Sequence, residues 1–310
     1  MINLRKVVLD TLQDFPVIME LIGKDWFLSK LNEGQKHPLI FYLSKGRPDH
    51  SKIESLQKQL KEIKDKASIM LIVYELQHHH FVLTHLEQCL SALKEESRIQ
   101  RILNHLKNEE HFWRGYSEAE VAALLKKKFG EIEIEPQLPN GKSTDIKFKI
   151  RNNWIFAEVT TPEKGQKFSE IMEKTVAAKE ATMLPGSVDR ARTKISKEYD
   201  HFRNIMDGVP AVIFMNTNQC EYDELDIEDA LMGTPKFVIT TNKETGEVGG
   251  SWIRDSWTVF DEDKKVELLG GIITYQRNFT IAGKVVFDAR IFAISFSRDD
   301  IEPLLALFHT

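Results

Sequence analysis

The stretch "GKSTDIKFKIRNNWIFAEVTTP", residues 141–162, decides how this chain is read. Its first half alternates: Ile146, Phe148 and Ile150 fall on one side of an extended segment, and Asp145, Lys147 and Lys149 on the other. A polar turn follows, and then a second extended segment. There Phe156, Glu158 and Thr160 point one way, while Ile155, Ala157 and Val159 point the other. Antiparallel pairing sets the start of the first strand beside the end of the second. Asp145 and Glu158 are therefore predicted to meet at one rim of a sheet. Two carboxylates there repel unless a cation or a shared proton lies between them. Acids are unfavourable in strand interiors, and Glu158 stands between "WIFA" and "VTTP". It is predicted to be partly buried and to need a partner.

A hard divalent ion, Mg²⁺ or Mn²⁺, suits such a rim, because it takes oxygen ligands and keeps several waters. Asp145 and Glu158 are the predicted ligands, with the Val159 carbonyl as a third. An ion of this kind supplies a nucleophile at neutral pH and neutralises charge building on a phosphate.

The flanking elements have two textures. Residues 1–112 read as helical throughout, with almost no glycine or proline between 51 and 114. Ile53, Leu56, Leu60, Ile63, Ala67 and Met70 follow the three- and four-residue spacing of a packed helix seam. Such helices pack into a bundle, pair with a copy of themselves or dock a protein partner. From residue 113 onward strands appear. Ser117 with Glu120 reads as a capping box opening a helix that Gly130 ends. "EIEIEP" alternates like a strand, and two helical stretches, about 164–183 and 187–206, follow the hairpin. "PAVIFMNT" is a fully apolar strand, and "KFVITT", "GGIITYQ" and "RIFAISF" are further strands. The expected fold is α/β, a mixed sheet flanked by helices over 113–310, with an N-terminal all-helical domain over 1–112.

Bulk composition narrows the function. The net charge is −5, so any contact with nucleic acid needs a local basic face. Arg190, Arg192, Lys194 and Lys197 provide one on a single helical stretch, diluted by Asp189, Glu198 and Asp200. Cys89 and Cys220 lie far apart, which excludes a cysteine zinc site of the usual kind and suits a reducing cytoplasm. The first residues carry no signal-peptide pattern, and "ASIMLIVYEL" is too short to span a bilayer. "HHH" at 78–80 sits in a helix, where consecutive side chains diverge, so it is not read as a metal site. The acidic run 221–229 lacks an EF-hand's glycine and spacing and reads as a loop and short helix.

Asp145 followed by Glu158-Val159-Thr160 resembles the core of the PD-(D/E)xK, or restriction-endonuclease-like, nucleases. In that pattern an Asp opens the second core strand and a Glu-x-Lys closes the third. The resemblance covers about residues 113–220, and "PAVIFMNT" after a helix fits it. It implies a magnesium-dependent nuclease acting on DNA or RNA. Asp145 and Glu158 would hold the metal, and a further acid on the preceding helix would assist, Glu120 with Glu118 as alternative. The basic helix would touch backbone phosphates. The sequence departs from the pattern at Thr160, where the family has lysine, and a neutral hydroxyl gives no Coulombic help. Lys147, on the Asp145 face, is the first substitute and Lys197 the second, with Lys142 and Lys194 also within conceivable reach. The alternative is a catalytically inactive member of the same fold, acting as a nucleic-acid-binding or assembly module.

Overall fold

A computed structural model describes residues 4–33, 36–48, 50–59, 66–138, 141–162, 187–202, 210–218, 224–232, 235–241, 248–254, 269–280, 282–294 and 297–308. The stretch 164–183 and the part of the helix seam spanning 60–65 lie outside these residues.

The hairpin of the opening stretch forms as its alternation predicts. Strands β2 (Ile146–Ile150) and β3 (Asn153–Thr160) pair antiparallel, with Ile146 opposite Ala157 and Phe148 opposite Ile155. Strand β1 (Ile132–Ile134) adds to β2 antiparallel. Strand β4 (Ala211–Asn216) lies parallel to β3 on its other side, and β7 (Leu269–Phe279) lies parallel to β4. Strand β8 (Val285–Ala293) closes the sheet antiparallel to β7. The six-stranded order is β1-β2-β3-β4-β7-β8. All six residues of β4 are buried, which is why its sequence is continuously apolar: a central parallel strand is covered on both faces. Strands β5 (Pro235–Thr241) and β6 (Val248–Arg254) do not extend this sheet. Among the described residues they pair only with each other.

Helices cover the sheet, giving a mixed α/β architecture. Among the described residues seven helices precede α8 (Phe112–Phe129): α1 (Leu4–Leu12), α2 (Pro16–Ile22), α3 (Lys24–Glu33), α4 (Pro38–Ser44), α5 (His50–Gln59), α6 (Lys66–Leu93) and α7 (Gln100–Lys107). Helix α8 packs on both these helices and β1–β3. Helix α9 (Ser187–Phe202) packs on the opposite face, beside α10 (Glu224–Met232), and α11 (Arg298–Leu305) packs on β8. One apolar cluster runs without a break from Val8 and Leu86 through Tyr116 and Ala122 to Phe148, Phe214 and Phe308. A second joins Phe156, Ile213 and Met215 to Ala191, Ile195 and Tyr199 of α9. No helix among the described residues is long and apolar enough to cross a membrane.

The capping-box reading is corrected. Helix α8 starts at Phe112 with His111 as its N-cap, so Ser117 and Glu120 lie well inside it and cap nothing. The local pattern matched, but the aromatic cluster of Phe112, Trp113 and Tyr116 extends the helix one and a half turns upstream. Gly130 ends it with φ +83°, as expected.

Helices α7 and α8 approach closely at Gly115. A Cβ built there would stand 2.8 Å from both His105 Cβ and the Leu106 backbone nitrogen. Glycine normally costs about 1 kcal/mol against alanine inside a helix, so the exchange should help an isolated α8. In this fold Gly115→Ala is expected to destabilise by about 1–3 kcal/mol, because a backbone atom must move. Urea unfolding of the two proteins checks the sign.

Candidate functional site

The β2–β3 register dictates the site. Continuing it by one residue beyond Ile146–Ala157 brings Asp145 opposite Glu158. Both carboxyls are buried, 2% and 1% exposed, so their charges cannot be left to water. They touch: Glu158 hydrogen-bonds Asp145. The Asp145 Oδ2 accepts the Val159 N–H at 2.8 Å, which locks the aspartate against the end of β3. In a strand a residue's N–H and C=O project to the same side, so the Val159 carbonyl also faces the β2 edge.

Two arginines reach the same carboxylate from the helical side. Arg101 of α7 binds Asp145 Oδ1 through Nη2 and the Thr144 carbonyl, at 3.2 Å, through Nη1. Arg114 of α8 donates to Asp145 Oδ1 at 3.2 Å and to Glu118 Oε1 at 2.8 Å, bridging the two acids. His105 of α7 lies 2.8 Å from the other Glu118 oxygen. The close approach at Gly115 makes this convergence of α7 and α8 side chains possible.

The electrostatics split the acid pair. Burial alone would push the Asp145 pKa up, but Arg114, Arg101, the Glu158 hydrogen bond and the Val159 amide overcome it and hold it below the usual carboxylate value. Glu158 moves the other way. Burial, then the neighbouring Asp145 charge, raise its pKa well above normal, and Glu198 adds to the rise. The pair therefore rests as one anion and one neutral acid, with Glu158 donating the shared proton.

On the α9 side the site is closed by Thr160, Glu198 and Lys194. The Thr160 hydroxyl donates to Glu198 Oε1 at 3.2 Å, and Lys194 Nζ lies 2.7 Å from the same oxygen. Of the substitute lysines, Lys194 is thus the one linked to Thr160, through Glu198. Lys147 is directed elsewhere, onto the Trp154 ring at 4.3 Å and toward Glu133 at 3.4 Å. Lys197 and Lys142 are exposed. On α9, Arg190, Lys194 and Lys197 share one flank by helical spacing, while Arg192 is on the other and pairs with Asp189 at 3.1 Å.

Of the two helix acids, the structure brings Glu118 to this cluster and places Glu120 in another. Glu120 Oε2 pairs with Arg277 Nη1 of β7 at 2.9 Å, and the guanidinium stacks on Tyr116 at 3.9 Å. Residues two apart on a helix point to nearly opposite sides, so only one of the pair can face Asp145. Around Arg277 lie Tyr275, Cys89 and His85, the last held neutral by burial and by the guanidinium, with a pKa pushed down to about 3. Ser117 ties this cluster to the strand ends, accepting from Thr161 Oγ1 at 2.8 Å and from Asn216 Nδ2 at 3.0 Å.

Sequence reasoning missed Arg101, Arg114 and Arg277. Arg114–Glu118 was readable as an i,i+4 pair; Arg101 and Arg277 carry no local signal.

Among the described residues no group of three or more His, Cys, Asp or Glu side chains is arranged to hold a metal ion. The donor set here is smaller: two touching carboxyls and a main-chain carbonyl. It suits a hard cation that keeps most of its waters, provided Asp145 gives up its guanidiniums and Glu158 its proton. Comparison with protein-family models, curated proteins and solved structures gives no match.

Two expectations follow. In a chelating buffer, the stability that neutral Glu158 contributes is complete below about pH 4.5, its unfolded value, and is lost as pH rises through its raised folded value. Glu158→Gln keeps a donor toward Asp145 and does not titrate. Its urea midpoint should gain on that of the parent protein as pH is raised from 5 to 8; a gap independent of pH contradicts the assignment. Separately, Arg277→Met leaves Glu120 buried without its partner and should cost about 3–5 kcal/mol. The double variant Arg277→Met/Glu120→Leu should recover much of that loss, read by the same unfolding curves.

Proposed function

We propose that this chain is a metal-dependent phosphodiester hydrolase acting on DNA or RNA, with a restriction-endonuclease-like core formed by α8, β1–β3, α9 and β4. One observation carries the reading. Asp145 and Glu158 share the rim of β2 and β3 with their carboxyls in contact, buried, at pKa values pushed in opposite directions. Displaced titration of adjacent acids is costly, and such sites concentrate where chemistry is done. The surroundings support it: an acid at the mouth of the second strand, an acid on the third, then a helix, then a buried strand parallel to the third.

Asp145 and Glu158 would hold Mg²⁺ or Mn²⁺, with the Val159 carbonyl oriented to assist. The ion would supply charge neutralisation and an activated water. The protein's own groups do the rest. Glu118, fixed by Arg114 and His105, holds the guanidinium that reaches Asp145. Thr160, in the lysine's place, holds Glu198, and Glu198 holds Lys194. The ammonium that the strand lacks is thus delivered by α9. Arg190, Lys194 and Lys197 on one flank of that helix offer contacts to backbone phosphates.

A second reading has its own observation. Both Asp145 oxygens are already engaged, Oδ1 by two arginines and Oδ2 by Val159, as they would be in an inactive member acting as a nucleic-acid-binding module.

Incubation of plasmid and single-stranded DNA and RNA with the protein separates the two. Cleavage in Mg²⁺ or Mn²⁺, abolished by chelation and reduced at least a hundredfold in Asp145→Ala and Glu158→Ala, is expected for the enzyme. Lys194→Ala should reduce cleavage in protein that circular dichroism shows to be folded. Equal behaviour of parent and acid variants, with nucleic-acid binding retained, favours the module.

A further inference from the structure

We propose that Arg101 and Arg114 are an exchangeable counter-ion for Asp145: a divalent cation displaces them, and the released guanidiniums bind a phosphate of the nucleic-acid substrate. This rests on the metal-dependent reading above and names the residues that would meet the substrate at that site.

The argument is one of layering. The acids form the floor of the site, with the Asp145 side chain 1% exposed. The arginines form its roof, with side chains 19% exposed for Arg101 and 38% for Arg114. Of the charged groups in contact at Asp145, the guanidiniums are thus the ones solvent reaches most. Both arginines converge on the same oxygen, Oδ1, so one incoming cation competes with both at once. Two positive groups held side by side repel, and the Asp145 carboxylate they share offsets much of that repulsion. A cation that takes over Oδ1 leaves them adjacent and without it. A phosphate, with several acceptor oxygens, is the ligand whose geometry matches two neighbouring guanidinium forks.

The supports of the roof stay in place during such an exchange. Arg114 Nε remains on Glu118 Oε1, which His105 holds from the other side, and Arg101 Nη1 remains on the Thr144 carbonyl. Only the donors aimed at Asp145 need a new partner. Binding of metal and phosphate is thereby coupled with positive sign: each removes an obstacle to the other. The one bond broken in the protein is the Glu158 O–H, whose proton passes to solvent as the cation binds, and the charge lost by Asp145 to the metal is replaced at the guanidiniums by the phosphate.

Mn²⁺ alone is the first probe, followed by electron paramagnetic resonance of the unbound ion. Arg114→Gln removes one competitor and is expected to bind Mn²⁺ about tenfold more tightly than the parent protein. Lys126→Gln, a charge removal in the last turn of α8 beside Glu96, is expected to leave Mn²⁺ affinity unchanged. A phosphorothioate oligonucleotide, followed by fluorescence anisotropy, is the second probe. The parent protein should bind it more tightly with Mn²⁺ present, and Arg114→Gln should lose most of that gain. Arg101→Gln is read by the same two measurements and stands in where circular dichroism shows Arg114→Gln unfolded. Unchanged or weaker Mn²⁺ binding by the folded arginine variants, with Asp145-dependent binding in the parent, overturns the exchange alone. Equal Mn²⁺ binding by the parent and Asp145→Asn overturns the metal centre itself.

Discussion

Two buried carboxyls forced together by strand register are the constraint around which this molecule is arranged. Ile146 must face Ala157 if the apolar sides of β2 and β3 are to share one core, and a slip of one residue would turn Ile146, Phe148 and Ile150 to the wrong face. With that register fixed, Asp145 and Glu158 have no alternative to contact. The structure meets the repulsion with three devices: a proton on Glu158, the Val159 amide, and two guanidiniums on Asp145. Each is removable or shareable, and that separates this pair from an ordinary ion pair. A salt bridge meant only to stabilise a fold gains little from two arginines on one oxygen.

Helix α8 transmits that constraint to the rest of the chain. One side carries Arg114 and Glu118, turned to Asp145 and α7; the other carries Tyr116 and Glu120, turned to Arg277 and α6. The Glu120–Arg277 pair is fully buried, and rotating α8 enough to misplace Arg114 would break it. Burial raises the Glu120 pKa, but the guanidinium opposes the rise through both charge and hydrogen bond. Gly115 completes the arrangement by letting α7 approach until Arg101 and His105 reach the cluster. The helical half is therefore more than a neighbour of the sheet: it contributes Arg101 and His105 directly, and α6 packs His85 against Tyr116.

How much of this was readable in the sequence depended on range. The hairpin, its alternation and the meeting of Asp145 with Glu158 were readable because period-two patterning fixes faces and antiparallel pairing fixes ends. The apolar run of β4 was readable because a doubly covered strand has no polar face. Ser117 and Glu120 misled because a capping box is a four-residue pattern, and tertiary packing of Phe112, Trp113 and Tyr116 started the helix earlier. The choice between Glu118 and Glu120 could not be made without knowing how α8 is rotated, which Arg277 settles from 157 residues away. β6, rich in glycine, gave no strand signal, and its pairing with β5 in a separate sheet depends on the partner strand alone.

The threonine at position 160 also follows a physical logic. A lysine at 160 would lie on the α9 face of β3, where Glu198 and Lys194 already stand. Thr160 is small enough to be buried there and polar enough to donate to Glu198. The positive charge is then carried by a side chain four residues from its own carboxylate partner on α9. A change confined to Lys194 would leave Glu198 buried beside the protonated Glu158, and the two acids would compete for what charge neutralisation remains.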